Sequence, residues 1–308
     1  MATLTDMINE VSMNLSGYTL QQDRATHITA DVAATASTIA APITLSLAST
    51  DSVGKGVIEI DEELFWVDNY DRVGNTATIA PYGRAYLGTT LAAHTAGTKV
   101  TIAPTFPRFT IKRAINDTIS AIGSSIFAAK TTTITSNSAV SAFRLPTTGT
   151  TLSIRNILAI AYQALGSSKE WIPIRSYRFD GNANSTAFTS GQTVSIYDYI
   201  PSGRSVQVVY STDPTPFTTN AQEFATQTGL PESCKDLIIL GATYRLLSNL
   251  DPARASMVSP QADETDSKRP YGSSQSLTKQ VYALFNQRLN EEVKSQQEKY
   301  PIRVHYSL

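Results

Sequence analysis

The pattern of apolar and polar residues shows a compact β unit followed directly by a helix, between Gly56 and Ile126. Paired strands are predicted by short β-rich runs, at 57–60, 64–67, 76–79 and 98–103. After Pro107, isoleucines recur from Ile111 to Ile126 at steps of four, four, three and four. Since this is the period of an α-helix with one buried face, we expect a helix over 108–127.

Helical spacing of apolar residues returns in three other segments, at 4–15, 231–250 and 274–299. Gly17 is expected to end the first of them, because glycine is frequent just past a helix end. The segment at 231–250 is apolar almost all round, which favours a buried helix. Residues 252–272 lack periodicity, and a loop of that length is usually functional or ordered by a partner.

A second β region is predicted after Lys130, where threonine and serine alternate with apolar residues. The expected strands lie at 131–135, 152–154, 157–162, 171–179, 194–197 and 206–210. Their spacing and the turns between them favour a β-sandwich. Two earlier strands, at 26–29 and 43–47, are expected to join the first β unit.

These elements predict an α+β fold with a four-helix core and two inserted all-β domains. The first inserted domain is expected to be a small barrel or meander, and the second a β-sandwich. The expected division is a first core helix at 1–24, the first β domain at 25–104, a second core helix at 105–130, the sandwich at 131–222, the last two core helices at 223–300 with the loop 252–272, and a tail at 301–308.

The composition is that of a globular protein, with 41% hydrophobic residues in a chain of 308. Charged residues make up 17% and the formal net charge is −1, which gives no general attraction to nucleic acid or anionic membranes. Cys234 is the only cysteine, so a disulfide framework and a cysteine-based metal site are excluded, and the residue is expected to pack in a core. Neither a membrane anchor nor a signal peptide is expected.

No motif for catalysis, a cofactor or a metal is found, so we expect none of the three. The histidines lack the spacing of metal ligands; they are His27, His94 and His305. His94 is expected to serve the backbone geometry of its loop.

Two charged clusters have ordinary explanations as solvated surface. The densest acidic run could serve acid–base chemistry, but its place between two strands favours a solvated turn; it comprises Asp61, Glu62 and Glu63. Three basic residues could contact phosphate, although such charges on one helix face usually mark its solvated side; they are Arg108, Lys112 and Arg113.

Three groups of residues in the first β unit, at its junction with the helix and near the C-terminus form a recognisable combination. They are Tyr82-Gly83-Arg84-Ala85-Tyr86-Leu87-Gly88-Thr89-Thr90 with Ala92-Ala93-His94 and Gly97-Thr98-Lys99-Val100, Pro104-Thr105-Phe106-Pro107-Arg108 with Lys112-Arg113-Ala114-Ile115-Asn116-Asp117, and Arg288-Leu289-Asn290-Glu291-Glu292 to Tyr300-Pro301. Together they resemble head-to-tail adaptor (connector) proteins of tailed bacteriophages. The resemblance covers 54–120 and 275–308 best, and the second β region matches no family we can name.

The resemblance implies a structural virion protein without catalytic residues. Such a protein forms a homo-oligomeric ring, a dodecamer, under the portal protein, and it contacts neighbouring adaptor subunits and tail-side neck or tail proteins. Genomic DNA passes through the lumen without sequence-specific binding, and no membrane is involved. The expected location is the virion neck at the portal vertex, after assembly in the host cytoplasm.

Two surfaces are candidates for these contacts. A tail that alternates apolar and polar residues has the period of a strand and is expected to dock on the portal, on a neighbouring subunit or on a sheet of its own chain; it contains Ile302, Arg303, Val304, His305, Tyr306 and Leu308. The polar side of the last helix is a candidate channel lining, or else outer solvated surface; it carries Gln280, Gln287, Asn290, Glu291 and Gln297.

Two alternative functions stay open at the level of sequence. One is another neck or tail-completion ring protein. The other, from a different class, is a β-sandwich module that binds carbohydrate through Trp171, Tyr177 and Phe179. Aromatic residues in strands are more often part of a core than of a sugar site.

Overall fold

The computed structural model describes residues 2–19, 23–35, 37–137, 140–145, 154–165, 169–248 and 273–301. The helices are α1 (Leu4–Thr19), α2 (Ser37–Ala40), α3 (Arg108–Ile122), α4 (Phe224–Thr228), α5 (Lys235–Ser248) and α6 (Ser273–Lys299). The strands are β1 (Arg24–His27), β2 (Ile43–Ser46), β3 (Gly56–Ile60), β4 (Glu63–Asp71), β5 (Thr76–Ile79), β6 (Lys99–Ile102), β7 (Ala128–Thr135), β8 (Ala142–Arg144), β9 (Ile154–Gln163), β10 (Trp171–Pro173), β11 (Tyr177–Asp180), β12 (Thr193–Ile196) and β13 (Ser205–Thr212). This mixture of helices and antiparallel sheets confirms the α+β class.

The chain divides into two compact units. The barrel unit comprises Thr5–Ile115 and Ile239–Val281 and contains β1 to β6. The sandwich unit comprises Met1–Leu4, Asn116–Ile238 and Tyr282–Leu308 and contains β7 to β13. None of the described helices has the length and apolarity needed to span a membrane.

The six strands of the barrel unit close on themselves. They follow the order β1-β6-β3-β4-β5-β2, and a bridge between Ile28 and Leu47 joins the extensions of β1 and β2. Two further bonds complete the closure, as Thr29 N–H donates to Ser46 O at 2.9 Å and Ala48 N–H donates to His27 O at 2.9 Å. Closure pairs the two strands that would otherwise be edges.

Alternate residues of the barrel strands fill its interior, because successive side chains of a strand point to opposite faces. The buried interior residues are Ile28, Leu45, Leu47, Val53, Ile58, Ile60, Phe65, Val67, Ala77, Ile79, Val100 and Ile102. The small barrel expected from the β-rich runs is therefore present.

The apolar stripes of α1 and α3 are buried, as their periodicity predicts. On α3 and just beyond it, the five isoleucines are at most 2% exposed; they are Ile111, Ile115, Ile119, Ile122 and Ile126. On α1 the buried residues are Leu4, Met7, Ile8, Val11 and Leu15. The expectation that Gly17 ends α1 was wrong, since the helix continues to Thr19. Glycine weakens a helix by only about 1 kcal/mol, so its presence alone does not end one.

Two sheets form the β structure of the sandwich unit. One has the order β10-β9-β13-β7 and the other β11-β12-β8. Both contribute to one buried cluster, with Ile160 and Val208 from the first sheet and Val194 and Ile196 from the second. The two sheets therefore pack face to face, which is the expected sandwich arrangement.

The strands of this unit differ from the predicted ones in three places. The run 171–179 is two strands in different sheets, β10 and β11, because the chain changes sheets after Ile174, whose N–H still bonds Ile160 O at 2.9 Å. The segment from Ile157 belongs to one long strand, β9, which begins at Ile154. Strand β8 was not predicted, and its three residues are too few to show a period.

The C-terminal helices agree with the expected segments in type and differ at their ends. The helix expected from Pro231 starts as a 3-10 turn, Glu232–Cys234, and continues as α5. Cys234 is 1% exposed and packs in the core, as expected. α6 has 27 residues and ends just before the Tyr300-Pro301 pair. The loop 252–272 lies outside the described residues.

Candidate functional site

Glu63, the first residue of β4 in the barrel unit, accepts hydrogen bonds from several groups. Arg84 donates to both oxygens of Glu63, from Nε at 3.0 Å and from Nη2 at 2.8 Å. The N–H groups of Ala85 and Ala92 add bonds of 3.1 Å and 3.0 Å. The interpretation of Glu63 as part of a solvated turn was therefore wrong, because its side chain is 1% exposed.

Arg84 also donates to two backbone oxygens. Nη1 donates to Ala33 O at 2.5 Å and Nη2 donates to Ala92 O at 2.6 Å. The guanidinium also lies over the Phe65 ring, with Cζ 5.1 Å from the ring centroid. A buried ion pair is tolerated only when its other polar atoms are bonded in this way. The Glu63–Arg84 pair thus anchors the loop after Gly83 to the barrel.

His94 completes this group. Its Nδ1 is 2.9 Å from Asp61 Oδ2, and its Nε2 is 3.0 Å from Glu63 Oε2. Its backbone also pairs with Val32 in both directions, at 2.8 Å and 2.9 Å. The expected role of His94 in loop geometry is confirmed, and the side chain adds an ion-pair role that sequence reasoning missed.

The β3–β4 hairpin also holds the start of α3. Pro107 precedes α3 and has no side chain that can accept a hydrogen bond, so Glu59 of β3 supplies the acceptor for Arg108 N–H at 2.5 Å. Lys112 Nζ lies 3.0 Å from Glu62 Oε2. The Arg108 side chain bonds Asn9 of α1 at 2.8 Å. Both basic side chains thus have protein partners, which weakens the idea that they contact phosphate.

Burial and hydrogen bonding shift the pKa values of two carboxylates in the β3–β4 hairpin, Glu63 and Glu59, in opposite directions. Burial alone would raise the pKa of Glu63, but the hydrogen bonds from His94 and Arg84 and from two backbone N–H groups hold it at about 2. Burial raises the pKa of Glu59 to about 7, against the opposing effect of the Arg108 N–H and charge. Two carboxylates in one hairpin therefore respond differently to pH.

The anchored loop presents apolar side chains to solvent. Tyr82 and Leu87 are each 71% exposed, and the Tyr86 ring packs on Trp66 with centroids 5.3 Å apart. Tyr82, Ala85 and Leu87 have left-handed φ angles of 57°, 49° and 55°. Non-glycine residues adopt this conformation rarely, and surrounding contacts must impose it. The buried Arg84 contacts, between these positions, are such a constraint.

Polar contacts set the rotation of α6 about its axis in the sandwich unit. Arg288 Nη2 lies 3.0 Å from Glu292 Oε1 and donates to Ser233 O at 3.2 Å. Ser233 Oγ donates to Glu292 Oε2 at 3.1 Å, and the Cys234 thiol lies 3.5 Å from the same oxygen. One helix turn further on, Gln296 bonds the backbone of Phe127. These contacts determine which side of α6 faces solvent.

The five candidate channel residues of α6 are all exposed: Gln280, Gln287, Asn290, Glu291 and Gln297. Glu291 is paired with Arg288, at 2.6 Å. The structure thus shows that these side chains are available, and their position in a channel stays a prediction. The candidate docking residues from Ile302 to Leu308 lie outside the described residues.

The three aromatic residues of the carbohydrate alternative do not form one exposed surface. Tyr177 and Phe179 pack against the sandwich core, whereas Trp171 lies on β10 and is 39% exposed. Within the described ranges, no group of three histidine, cysteine or carboxylate side chains has the geometry of a metal site.

Comparison with protein families decides the classification. The family model described as "SU10 adaptor protein" matches residues 84–305, which is most of the chain. The chain belongs to the SU10 adaptor protein family. No curated protein sequence matches it closely. The match begins at Arg84, the buried partner of Glu63, and confirms the resemblance to bacteriophage head-to-tail adaptors.

Membership of the SU10 adaptor family has two consequences. It implies a structural role in the virion neck, with portal and tail proteins as partners. It also changes the interpretation of the sandwich, which had matched no named family but lies wholly inside the matched residues.

Proposed function

We propose that this adaptor is a non-catalytic structural subunit of a ring that joins the portal to the tail and lets genomic DNA pass. The family match over residues 84–305 is the observation that carries the proposal. The dense contacts described above support it as well, because they connect loops to strands and helices to strands. Contacts that hold loops and helices in fixed positions suit a structural subunit.

In the proposed subunit, the four long helices form a common core and the two β regions project from it. The supporting observation is their order, since α1 and α3 flank the barrel strands, and α3 and α5 flank the sandwich strands. These helices have 16, 15 and 14 residues, and α6 has 27. The boundaries expected for the inserted domains, 25–104 and 131–222, belong to this proposal.

We place α6 along the lumen of a twelve-membered ring, with its exposed amide side chains toward DNA. Between Gln287 and Gln297, the exposed charges on α6 are Glu291 and Lys294, one of each sign. A nearly neutral polar surface suits a channel, because strongly basic side chains would bind phosphate and retard DNA. The hydrogen bonds of Arg288, Glu292 and Gln296 described above fix the rotation of α6, and so hold that surface in one orientation.

We propose that the tail 302–308 docks as a strand on the portal or on a neighbouring adaptor. Its apolar residues alternate with polar ones, and strand addition satisfies the backbone while alternate side chains enter pockets. It follows Tyr300, whose ring packs on Phe127 at a centroid distance of 5.8 Å. Tyr300, two residues before this tail, is therefore held against Phe127.

Mixing the purified chain with the portal ring of the same phage tests the proposal. Electron microscopy and native mass spectrometry should show an adaptor ring of matching symmetry on the portal. Rings that bind a tail component but not the portal would favour a tail-completion protein. A chain that stays monomeric and does not bind the portal would contradict the proposal. If that monomer bound glycans on an array, the result would favour the carbohydrate-binding alternative.

A further inference from the structure

Both ring nitrogens of His94 face carboxylates, which restricts its protonation state. Nδ1 lies 2.9 Å from Asp61 Oδ2 and Nε2 lies 3.0 Å from Glu63 Oε2. A neutral imidazole has one N–H and one lone pair, so one of these contacts would set a lone pair against an anionic oxygen. Both contacts are favourable when the ring is an imidazolium.

The charges around the ring also favour the imidazolium. The β3–β4 turn contributes Asp61 and β4 contributes Glu63, both anionic, while the loop after Gly83 contributes the cationic Arg84. β4 also places the Phe65 ring beside His94, with centroids 5.7 Å apart. Two carboxylates and one guanidinium leave a negative excess that an imidazolium neutralises. The side chain of His94 is 1% exposed, so water screens this excess poorly.

The segment 92–97 depends on these contacts at several points. Ala92 N–H donates to Glu63 Oε2 at 3.0 Å, and His94 N–H donates to Val32 O at 2.9 Å. Ala96 N–H donates to Asp31 Oδ1 at 2.7 Å, and Gly97 N–H donates to Ile28 O at 2.7 Å. The segment thus lies between residues 28–33 and the acidic turn, by which we mean Asp61 to Glu63. His94 is bonded to both.

We propose that His94 is a proton-dependent lock of the barrel: its imidazolium ties the segment 92–97 to the acidic turn, and its deprotonation releases that segment. This device goes beyond the proposed ring function and does not depend on it. Once neutral, the ring loses one N–H donor and the charge that offsets Asp61 and Glu63.

The direction of the pH response follows from linkage. Burial would lower the pKa of His94, but hydrogen bonds to Glu63 and Asp61 and their charges raise it above 6.5. A raised folded-state pKa gives stability that is complete below the unfolded-state value and is lost as pH rises through the folded-state value. The lock is therefore closed in mildly acid solution and opens as pH rises through the raised pKa of His94.

Nuclear magnetic resonance of the full chain, labelled with ¹⁵N in histidine, tests the charge directly. At pH 6.5 the ring of His94 should be mostly doubly protonated, because its pKa lies above that value. The exposed His27 provides a second histidine signal for comparison. A mostly neutral His94 ring at pH 6.5 would overturn the proposal. This measurement needs no variant and is insensitive to whether a variant folds.

Hydrogen exchange tests the release. Protection factors of the His94 and Gly97 amides, which correct for the intrinsic pH dependence of exchange, should fall by up to about tenfold per pH unit between about 6.5, the usual histidine pKa, and the titration midpoint of His94, and should level off above that midpoint. Asp61→Asn should move that midpoint to lower pH, and His27→Gln should leave it unchanged. Protection factors that do not change as His94 titrates would overturn the lock. So would an Asp61→Asn variant whose midpoint is the same as that of the parent.

Discussion

The amide side chain of Gln296 makes two hydrogen bonds to the backbone of Phe127, donating to its oxygen at 2.6 Å and accepting from its N–H at 3.1 Å. Phe127 immediately precedes strand β7, so one side chain near the end of α6 holds the start of the sandwich. A side-chain amide is well suited to this task, because it can donate and accept at once.

Gln296→Ala should therefore destabilise the sandwich unit by about 1–3 kcal/mol, because two partly buried backbone groups lose their partner. Urea unfolding measures the effect. Gln297→Ala changes the exposed neighbour on the same helix and should stay within about 0.5 kcal/mol of the parent. Equal losses in the two variants would show that the Gln296 contact does not support the fold.

Removing the charge of Arg84 should be the most damaging single change in the barrel. Arg84→Met leaves Glu63 buried without its bidentate partner, and breaking a buried pair costs about 3–5 kcal/mol. Lys55→Met is the control, since Lys55 and Asp68 form an exposed pair 3.9 Å apart. Its effect should be below about 1 kcal/mol. A cost for Arg84→Met as small as that of the control would refute the anchoring role.

Glu59 should make stability fall as pH rises from about 4.5 to about 7. The folded protein raises the pKa of this carboxyl, so the folded state binds the proton more tightly than the unfolded state and loses that advantage on ionisation. Glu59→Gln keeps an acceptor for Arg108 N–H but cannot ionise, so it should flatten this part of the profile of unfolding free energy against pH. Glu170→Gln, at an exposed position, should leave the profile unchanged.

Basic substitutions on the exposed face of α6 should slow DNA passage if that face lines the channel. In phage particles, Gln287→Lys with Asn290→Lys should retard genome ejection without preventing assembly, because the added charges bind phosphate. The retardation should weaken at high salt. Adding the same charge at Ser52 and Val73, exposed positions of the barrel, is the control and should leave ejection unchanged. A normal rate of genome ejection from the α6 variant would show that this face does not line the channel.

Deletion of residues 302–308 should separate docking from folding. We expect a monomer with an unaltered melting temperature that fails to join the portal, because the strand finds its hydrogen-bond partners on another chain. Replacing Arg303 and Ser307 with alanine keeps the apolar alternation and should preserve attachment. A lower melting temperature for the truncated monomer would mean that the tail pairs with a sheet of its own chain.

The sequence alone determined the elements whose signal is local and periodic. The isoleucines from Ile111 to Ile126 mark the buried face of α3 because helix geometry repeats every 3.6 residues. The β-rich runs around Ile58 and Phe65 mark barrel strands because alternate residues of a strand share one face. The loop around Arg84 is likewise a continuous run of residues, so its resemblance to bacteriophage adaptors is visible in the sequence, and the family match confirms it.

Only the tertiary structure decided what the charged and polar residues do. The sequence favours a solvated Glu63 because its partners, Arg84 and His94, lie 21 and 31 residues away along the chain. Gln296 and Phe127 are separated by 169 residues. Such contacts form when folding brings distant segments together, and a single sequence contains no period or spacing that predicts them. The physical reason is that a carboxylate is stable in water, and burying it costs free energy unless hydrogen-bond donors surround it. Only the folded chain brings those donors together around Glu63.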